Sequence, residues 1–220
     1  MSDKQVVFGL GTGRCGTVTL AGLLSAQPDA EVSHERPGAA LTWSGGEAVL
    51  DALLDELAAS PRRLVGDVGF YYLPYVERIA ERFPRARFVG LRRARAATVA
   101  SYLHKAGDRN HWMRHDGRRW QADRWDACYP KYDAESLEQA LGLYWEDYYR
   151  RFEHWQQRRP EAFRLFGVEA LNDEAGQRGI LDFVGVPCEE QVLDVGLRLN
   201  DRSVTQVRRP SLFRRLFRRR

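Results

Sequence analysis

Residues 5–24 read QVVFGLGTGRCGTVTLAGLL, and this stretch decides the fold. Gln5 to Leu10 is a short apolar run with β-branched side chains that closes on glycine, the pattern of a buried strand. Gly11 to Thr17 is a glycine-rich turn, and Thr17 to Ala26 has helical apolar spacing. Strand, glycine loop and helix in immediate succession predict a parallel sheet in an α/β domain.

The alternation continues downstream. Ala30 to Ser33 predicts a short second strand running into His34-Glu35-Arg36-Pro37, and residues 47–59 predict a helix ended by Pro61. A strand at Arg63–Val68, a helix at Tyr71–Arg82, a strand at Arg87–Leu91 and a helix at Ala96–Lys105 follow. Residues 107–133 break the rhythm with three tryptophans set among Gly, Asp, Arg and Pro. Loops of that length are usually functional or disordered, and this segment reads as a long loop or lid. From Glu135, the side chains Leu137, Leu141, Tyr144, Trp145, Tyr148, Phe152 and Trp155 recur at three- and four-residue steps as one apolar helical stripe. A last strand is expected at Phe163–Val168 and a last helix at Gly176–Val184.

Composition narrows the class. With 220 residues, 44% apolar and 29% charged, the chain is long enough for one domain with a core of its own. It contains no run of eighteen apolar residues, which excludes a membrane-spanning helix, and its mean hydropathy is −0.51. The opening MSDKQVVFGLGTGRCG lacks a secretory pattern, so a cytoplasmic protein is expected. Cys15, Cys128 and Cys188 form no CxxC pair, which points to reduced thiols and to no structural metal. Net charge is +4, yet residues 202–220 hold eight arginines and no acid, leaving residues 1–201 at −4. The chain thus divides into a domain over 1–201 and a basic tail over 202–220. Leu212, Phe213, Leu216 and Phe217 lie among the tail arginines at helical spacing, a pattern suited to peripheral contact with an anionic membrane or to a solvated terminus. No basic face within the domain marks a specific nucleic-acid partner.

The glycine loop admits several readings. Gly11-Thr12-Gly13-Arg14-Cys15-Gly16 satisfies G-x-G-x-x-G, and Glu35 stands nineteen residues past Gly16, where a dinucleotide fold keeps its ribose-binding acid. Gly11 and Gly16 also have P-loop spacing, but Thr17-Val18 replaces the lysine and hydroxyl that bind ATP phosphates and magnesium. What is left is a phosphate cradle holding Arg14, ringed by backbone N–H groups at a helix N-terminus. The structural alternative is a simple tight strand-to-helix turn.

VFGLGTGRCGTVTLAGLL resembles the 5′-phosphosulfate loop of sulfotransferases that use 3′-phosphoadenosine 5′-phosphosulfate (PAPS), in which Lys or Arg precedes a Ser/Cys-Gly-Thr step. Arg14, Cys15, Gly16 and Thr17 are those residues here. RFVGLRRARAATVASYLHK resembles the family's 3′-phosphate segment and sets Arg93 eight residues before Ser101, with Arg92 as a second cation. FGVEALNDEAGQRGILDFVGVP resembles a late family segment, with Glu169 at its acid, and GDVGFYYLPYVERIAERFP resembles the stretch preceding the family's third strand. Ala94-Arg95 stands where the family has Asp-Pro, and its Arg-Lys-Gly adenosine loop has no recognisable counterpart. The resemblance implies a three-layer α/β/α, P-loop-like architecture with a central parallel sheet.

It also implies the chemistry. PAPS is the co-substrate, no metal takes part, and the acceptor is a hydroxyl or amine on a small molecule, carbohydrate or lipid. Gly13, Arg14, Cys15, Gly16, Thr17 and Val18 would cradle the 5′-phosphosulfate, and Arg93 with Ser101 the 3′-phosphate. Arg14 would stabilise charge in the transition state. Glu35 is the favoured general base, with His34 and then Asp67 as alternatives. Trp112, Trp120 and Trp125 either line an acceptor pocket or pack the lid onto the domain. The rival readings are an ATP-dependent kinase of P-loop type, a dinucleotide-binding oxidoreductase, and a non-catalytic nucleotide-binding or membrane-associated adaptor.

Overall fold

The computed structural model describes residues 4–115, 118, 120 and 122–195. The tail over 202–220 lies outside these residues. Five parallel strands, β1 (Gln5–Leu10), β2 (Ala30–His34), β3 (Leu64–Val68), β4 (Arg87–Arg92) and β5 (Phe163–Gly167), form one sheet in the order β2-β3-β1-β4-β5. Among the described residues five α-helices lie between the strands, α1 (Thr17–Ser25), α2 (Glu47–Ala59), α3 (Val76–Arg82), α4 (Arg95–Ala106) and α5 (Leu137–Arg158), and α6 (Glu174–Phe183) follows β5. None of the described helices is long and apolar enough to cross a membrane.

β1 shows why the sheet is a middle layer. Its side chains alternate between faces, so Val6, Phe8 and Leu10 enter one core while Val7 enters the other. The larger core packs under α2, α4 and α5, with Phe88 stacked on Phe163 at 4.3 Å. The smaller packs under α1 and α6 through Leu20, Leu24, Ile180 and Leu181. Burial on both faces is what a near-continuous apolar strand such as QVVFGL demands.

Two sequence expectations change. The predicted helix 71–82 is a 3-10 turn over Phe70–Tyr75 that contains Pro74, followed by a short α3. Proline lacks the N–H an α-helix would use there, so the regular helix begins only beyond it. The last helix starts at Glu174 because Asp173 caps it, its carboxylate accepting from Gly176 N at 2.7 Å. The strand order also separates this sheet from a dinucleotide fold. There β2 neighbours β1, whereas here β3 lies between them.

Candidate active site

All five strands are parallel, so their carboxyl ends share one edge, and the loops leaving β1, β2 and β4 converge there around a cleft of about 820 Å³. β1 delivers the glycine loop. Gly13 and Gly16 take φ values of 79° and 92°, and Arg14 joins them in the left-handed region at 57°. That conformation costs a non-glycine residue about 1–2 kcal/mol, so surrounding structure must hold it.

The hold comes from tyrosines on α4 and α5. Tyr148 Oη accepts from Gly11 N at 2.9 Å and donates to Phe70 O at 3.0 Å. Tyr102 and Tyr144 both donate to Thr12 O, and Tyr149 donates to Leu91 O at 2.7 Å. A Cβ on Gly13 would lie 2.3 Å from the Tyr102 hydroxyl, so glycine is required for this approach as well as for its φ. In the sequence, the α5 tyrosines read only as members of an apolar stripe. Their hydroxyls are the available signal, since a buried phenol needs a partner and an irregular loop offers unpaired backbone groups.

The residues expected to bind phosphate meet here. Arg14 Nε donates to Ser101 Oγ at 3.2 Å, and Arg93 Nη1 donates to Arg14 O at 3.1 Å. Gly13, Arg14, Gly16, Thr17, Val18 and Arg93 line the cleft. Ser101 stands beside Arg14, and the Cys15 side chain points away into the core at 0% exposure. Burial pushes the Cys15 thiol up to about 11, so it is no nucleophile. Arg92 is taken up elsewhere, pairing with Glu153 at 2.6 Å. Glu169 is exposed in the turn after β5, whereas Val168, Leu171 and Asn172 from the same turn reach the cleft.

β2 ends at His34 and delivers the opposite wall. Glu35 has φ 51°, and its turn is pinned by three bonds. Glu35 N donates to Val68 O at 2.9 Å, Gly38 N donates to Glu35 O at 2.9 Å, and Arg36 N donates to Asp67 Oδ2 at 2.7 Å. Asp67 is fully buried and also accepts from Val68 N at 2.7 Å and the Tyr72 hydroxyl at 2.6 Å. It therefore holds the turn and does not face the cleft. Burial first, and the Asp67 charge second, push the Glu35 carboxyl up to about 7. Burial alone pulls His34 down to about 4, leaving it neutral, with Nε2 3.1 Å from Thr17 Oγ1. Its 3.9 Å approach to Glu35 Oε1 is thus a contact with a neutral imidazole and not an ion pair.

Described residues after α4 line the cleft as well. Trp112 and Trp125 line it together with Phe70, His111 and Tyr129, while Trp120 packs against the large core. Trp112 is only 1% exposed and also packs edge-on against Tyr102 at 4.8 Å. Lys105 and Arg109 line the same side, a placement that no sequence pattern predicts. Among the described residues no cluster of His, Cys, Asp and Glu has the arrangement of a metal site.

No family model matches the chain, and no curated protein matches it. Among solved structures it is similar to mouse sulfotransferase SULT7A1 complexed with PAP, at TM-score 0.52 and 14% identity over 85% of this chain and 61% of that one. The chain therefore spans about 61% of that protein's length. Two shikimate kinases also match. The one from Bacteroides thetaiotaomicron has TM-score 0.47 and 11% identity over 82% of this chain and 98% of its own. The one from Acinetobacter baumannii, in complex with shikimate, has TM-score 0.45 and 16% identity over 83% and 94%. What is shared with the sulfotransferase at 14% identity is the fold, a P-loop-like α/β architecture with a central parallel sheet.

Proposed function

We propose that the protein is a sulfotransferase that moves a sulfuryl group from PAPS to a hydroxyl or amine acceptor by in-line transfer. The junction of Arg14, Ser101 and Arg93 carries the reading. One cation sits inside a glycine loop at a helix N-terminus, and a second cation with a hydroxyl stands beside it. Two separate anions are served by such a pair, as a nucleotide phosphorylated at both 3′ and 5′ positions presents them. A linear triphosphate fits less well, because Thr17 occupies the place of the loop lysine.

PAPS supplies an activated sulfuryl group whose departure leaves negative charge on the 5′-phosphate. Arg14 and the N–H groups of residues 15–18 are preorganised to stabilise that charge, since the tyrosine bonds fix the loop beforehand. The Arg14 fork can span two oxygens at once. Glu35 faces the cleft and takes the acceptor proton, its affinity near 7 being suited to a base at neutral pH. Activity through Glu35 rises as pH passes through about 7 and reaches a plateau above it. His34 stays neutral and positions the Thr17 side of the loop.

Calorimetric titration with adenosine 3′,5′-bisphosphate tests the reading, with AMP, ATP–magnesium and NAD as comparisons. Micromolar binding of the bisphosphate, much weaker binding of AMP and loss of the difference in Arg93→Ala are expected. No bisphosphate binding, or a preference for ATP or NAD, overturns it.

A further inference from the structure

The charges lining the cleft exceed what the donor nucleotide uses. Arg14, Arg93, Lys105 and Arg109 face it, and Glu35 is the single carboxylate among the described lining residues. Four cations against one acid leave a local surplus, although residues 1–201 as a whole carry −4. Arg14 and Arg93 are joined at the glycine loop. Lys105 and Arg109 belong to a different part of the wall, four residues apart at and just beyond the end of α4.

These two cations are available to a ligand. Lys105 makes no ion pair among the described residues, and its charge acts on Glu35, opposing the rise in that carboxyl. Arg109 spends one nitrogen on Asp123, at 3.4 Å, and its side chain stays half exposed. Trp112 lines the same cleft and is itself only 1% exposed. The neighbouring walls are the rings of Phe70, Trp125 and Tyr129, with Phe70 and Tyr129 stacked at 4.2 Å. Two cations beside aromatic walls and a general base describe a ligand with a flat apolar body and a small anion.

We infer that the acceptor is an aromatic acid, whose hydroxyl or amine faces Glu35 and whose carboxylate or equivalent anion is held by Lys105 and Arg109. This assignment rests on the sulfotransferase reading and names the second substrate of the same cleft. In the transfer the acceptor oxygen or nitrogen forms its bond to sulfur as the bond from sulfur to the 5′-phosphate oxygen breaks, and the acceptor proton passes to Glu35.

The test is calorimetry on the full chain with two matched probes, 4-hydroxyphenylacetate and 4-hydroxyphenylacetamide, each measured with and without saturating adenosine 3′,5′-bisphosphate. The acid is expected to bind about tenfold more tightly than the amide, the scale of one charge-assisted contact. Lys105→Gln and Arg109→Gln should each narrow that ratio, and the double variant should abolish it while bisphosphate affinity holds. Lys105→Glu should reverse the preference. Equal binding of acid and amide, absence of binding by both, or a ratio indifferent to these variants overturns the assignment. Weakened bisphosphate binding with an unchanged acid-to-amide ratio also overturns it, since the cations then belong to the nucleotide. If the wild-type chain fails to bind bisphosphate, the sulfotransferase reading fails, and the nucleotide-free titrations still decide the anion subsite separately.

Discussion

Replacing Glu35 with glutamine should abolish transfer and yet stabilise the protein, by an amount that depends on pH. In the folded chain the carboxyl is lifted from its ordinary 4.5 to about 7, by burial and then by the Asp67 charge. Each tenfold change in proton affinity corresponds to about 1.4 kcal/mol. The displacement therefore costs the folded state about 3 kcal/mol once Glu35 is ionised, and somewhat less allowing for its 28% exposed side chain. Below pH 4.5 the carboxyl is protonated in both folded and unfolded chains and nothing is lost. Between 4.5 and 7 the unfolded chain releases its proton first, so stability falls as pH rises, and above 7 the loss is complete. An amide at this position does not titrate, so the substitution removes the dependence. Urea unfolding followed by tryptophan fluorescence should show Glu35→Gln more stable than wild type by roughly 2–3 kcal/mol at about pH 8 and equal to it near pH 4. Thermal midpoints at about pH 8 should rise by roughly 5–10 °C. A variant less stable than wild type at alkaline pH, or a difference that does not change with pH, would refute the account of Glu35 as a destabilised base held in place for function.

Asp67→Ala leaves Arg36 N, Val68 N and the Tyr72 hydroxyl without their buried acceptor and should cost about 2–4 kcal/mol in chemical denaturation. Asp67→Asn removes a charge beside Glu35, so the acid limb of the pH–rate profile should move to lower pH while bisphosphate affinity holds. Gly13→Ala places a Cβ against the Tyr102 hydroxyl and strains a φ of 79°, and calorimetry should show bisphosphate binding weakened at least about tenfold. Arg93→Ala should weaken the bisphosphate by roughly 10- to 100-fold in the same assay and leave AMP binding nearly unchanged.

Much of the fold is legible because a buried parallel strand has to be apolar over its whole length. QVVFGL and RFVGL announce themselves in this way, and the observed strands β1 and β4 fall within one residue of the reading. The Phe70–Tyr75 turn is not legible as such, since its aromatics satisfy a helical spacing that only Pro74 contradicts. In the site, Arg14, Arg93 and Ser101 are named through the resemblance to the sulfotransferase segments, and each lies just past a strand or on the helix that follows it. The left-handed turns at Arg14 and Glu35 are not legible, since neither is glycine and long-range bonds impose their geometry. Asp67 is open in the sequence between facing the cleft and bonding the backbone, and its three partners come from β3, the turn after it and the loop after β2. Lys105 and Arg109 carry no signal because an exposed cation near a helix end is ordinary in sequence.

The tyrosine ties to the glycine loop have a consequence for the order in which the site is made. Tyr148 and Tyr144 bond to Gly11 and Thr12 across 137 and 132 positions of chain, and Tyr148 reaches Phe70 across 78. A chain emerging from the ribosome can therefore complete β1, the glycine loop and α1 long before the groups that stiffen the loop exist. Until α5 is synthesised and docks, the strained loop has only the Tyr102 tie from α4, so the affinity for an anion should appear late. The segment that follows the sheet's fourth strand thus sets the moment at which the first loop becomes useful.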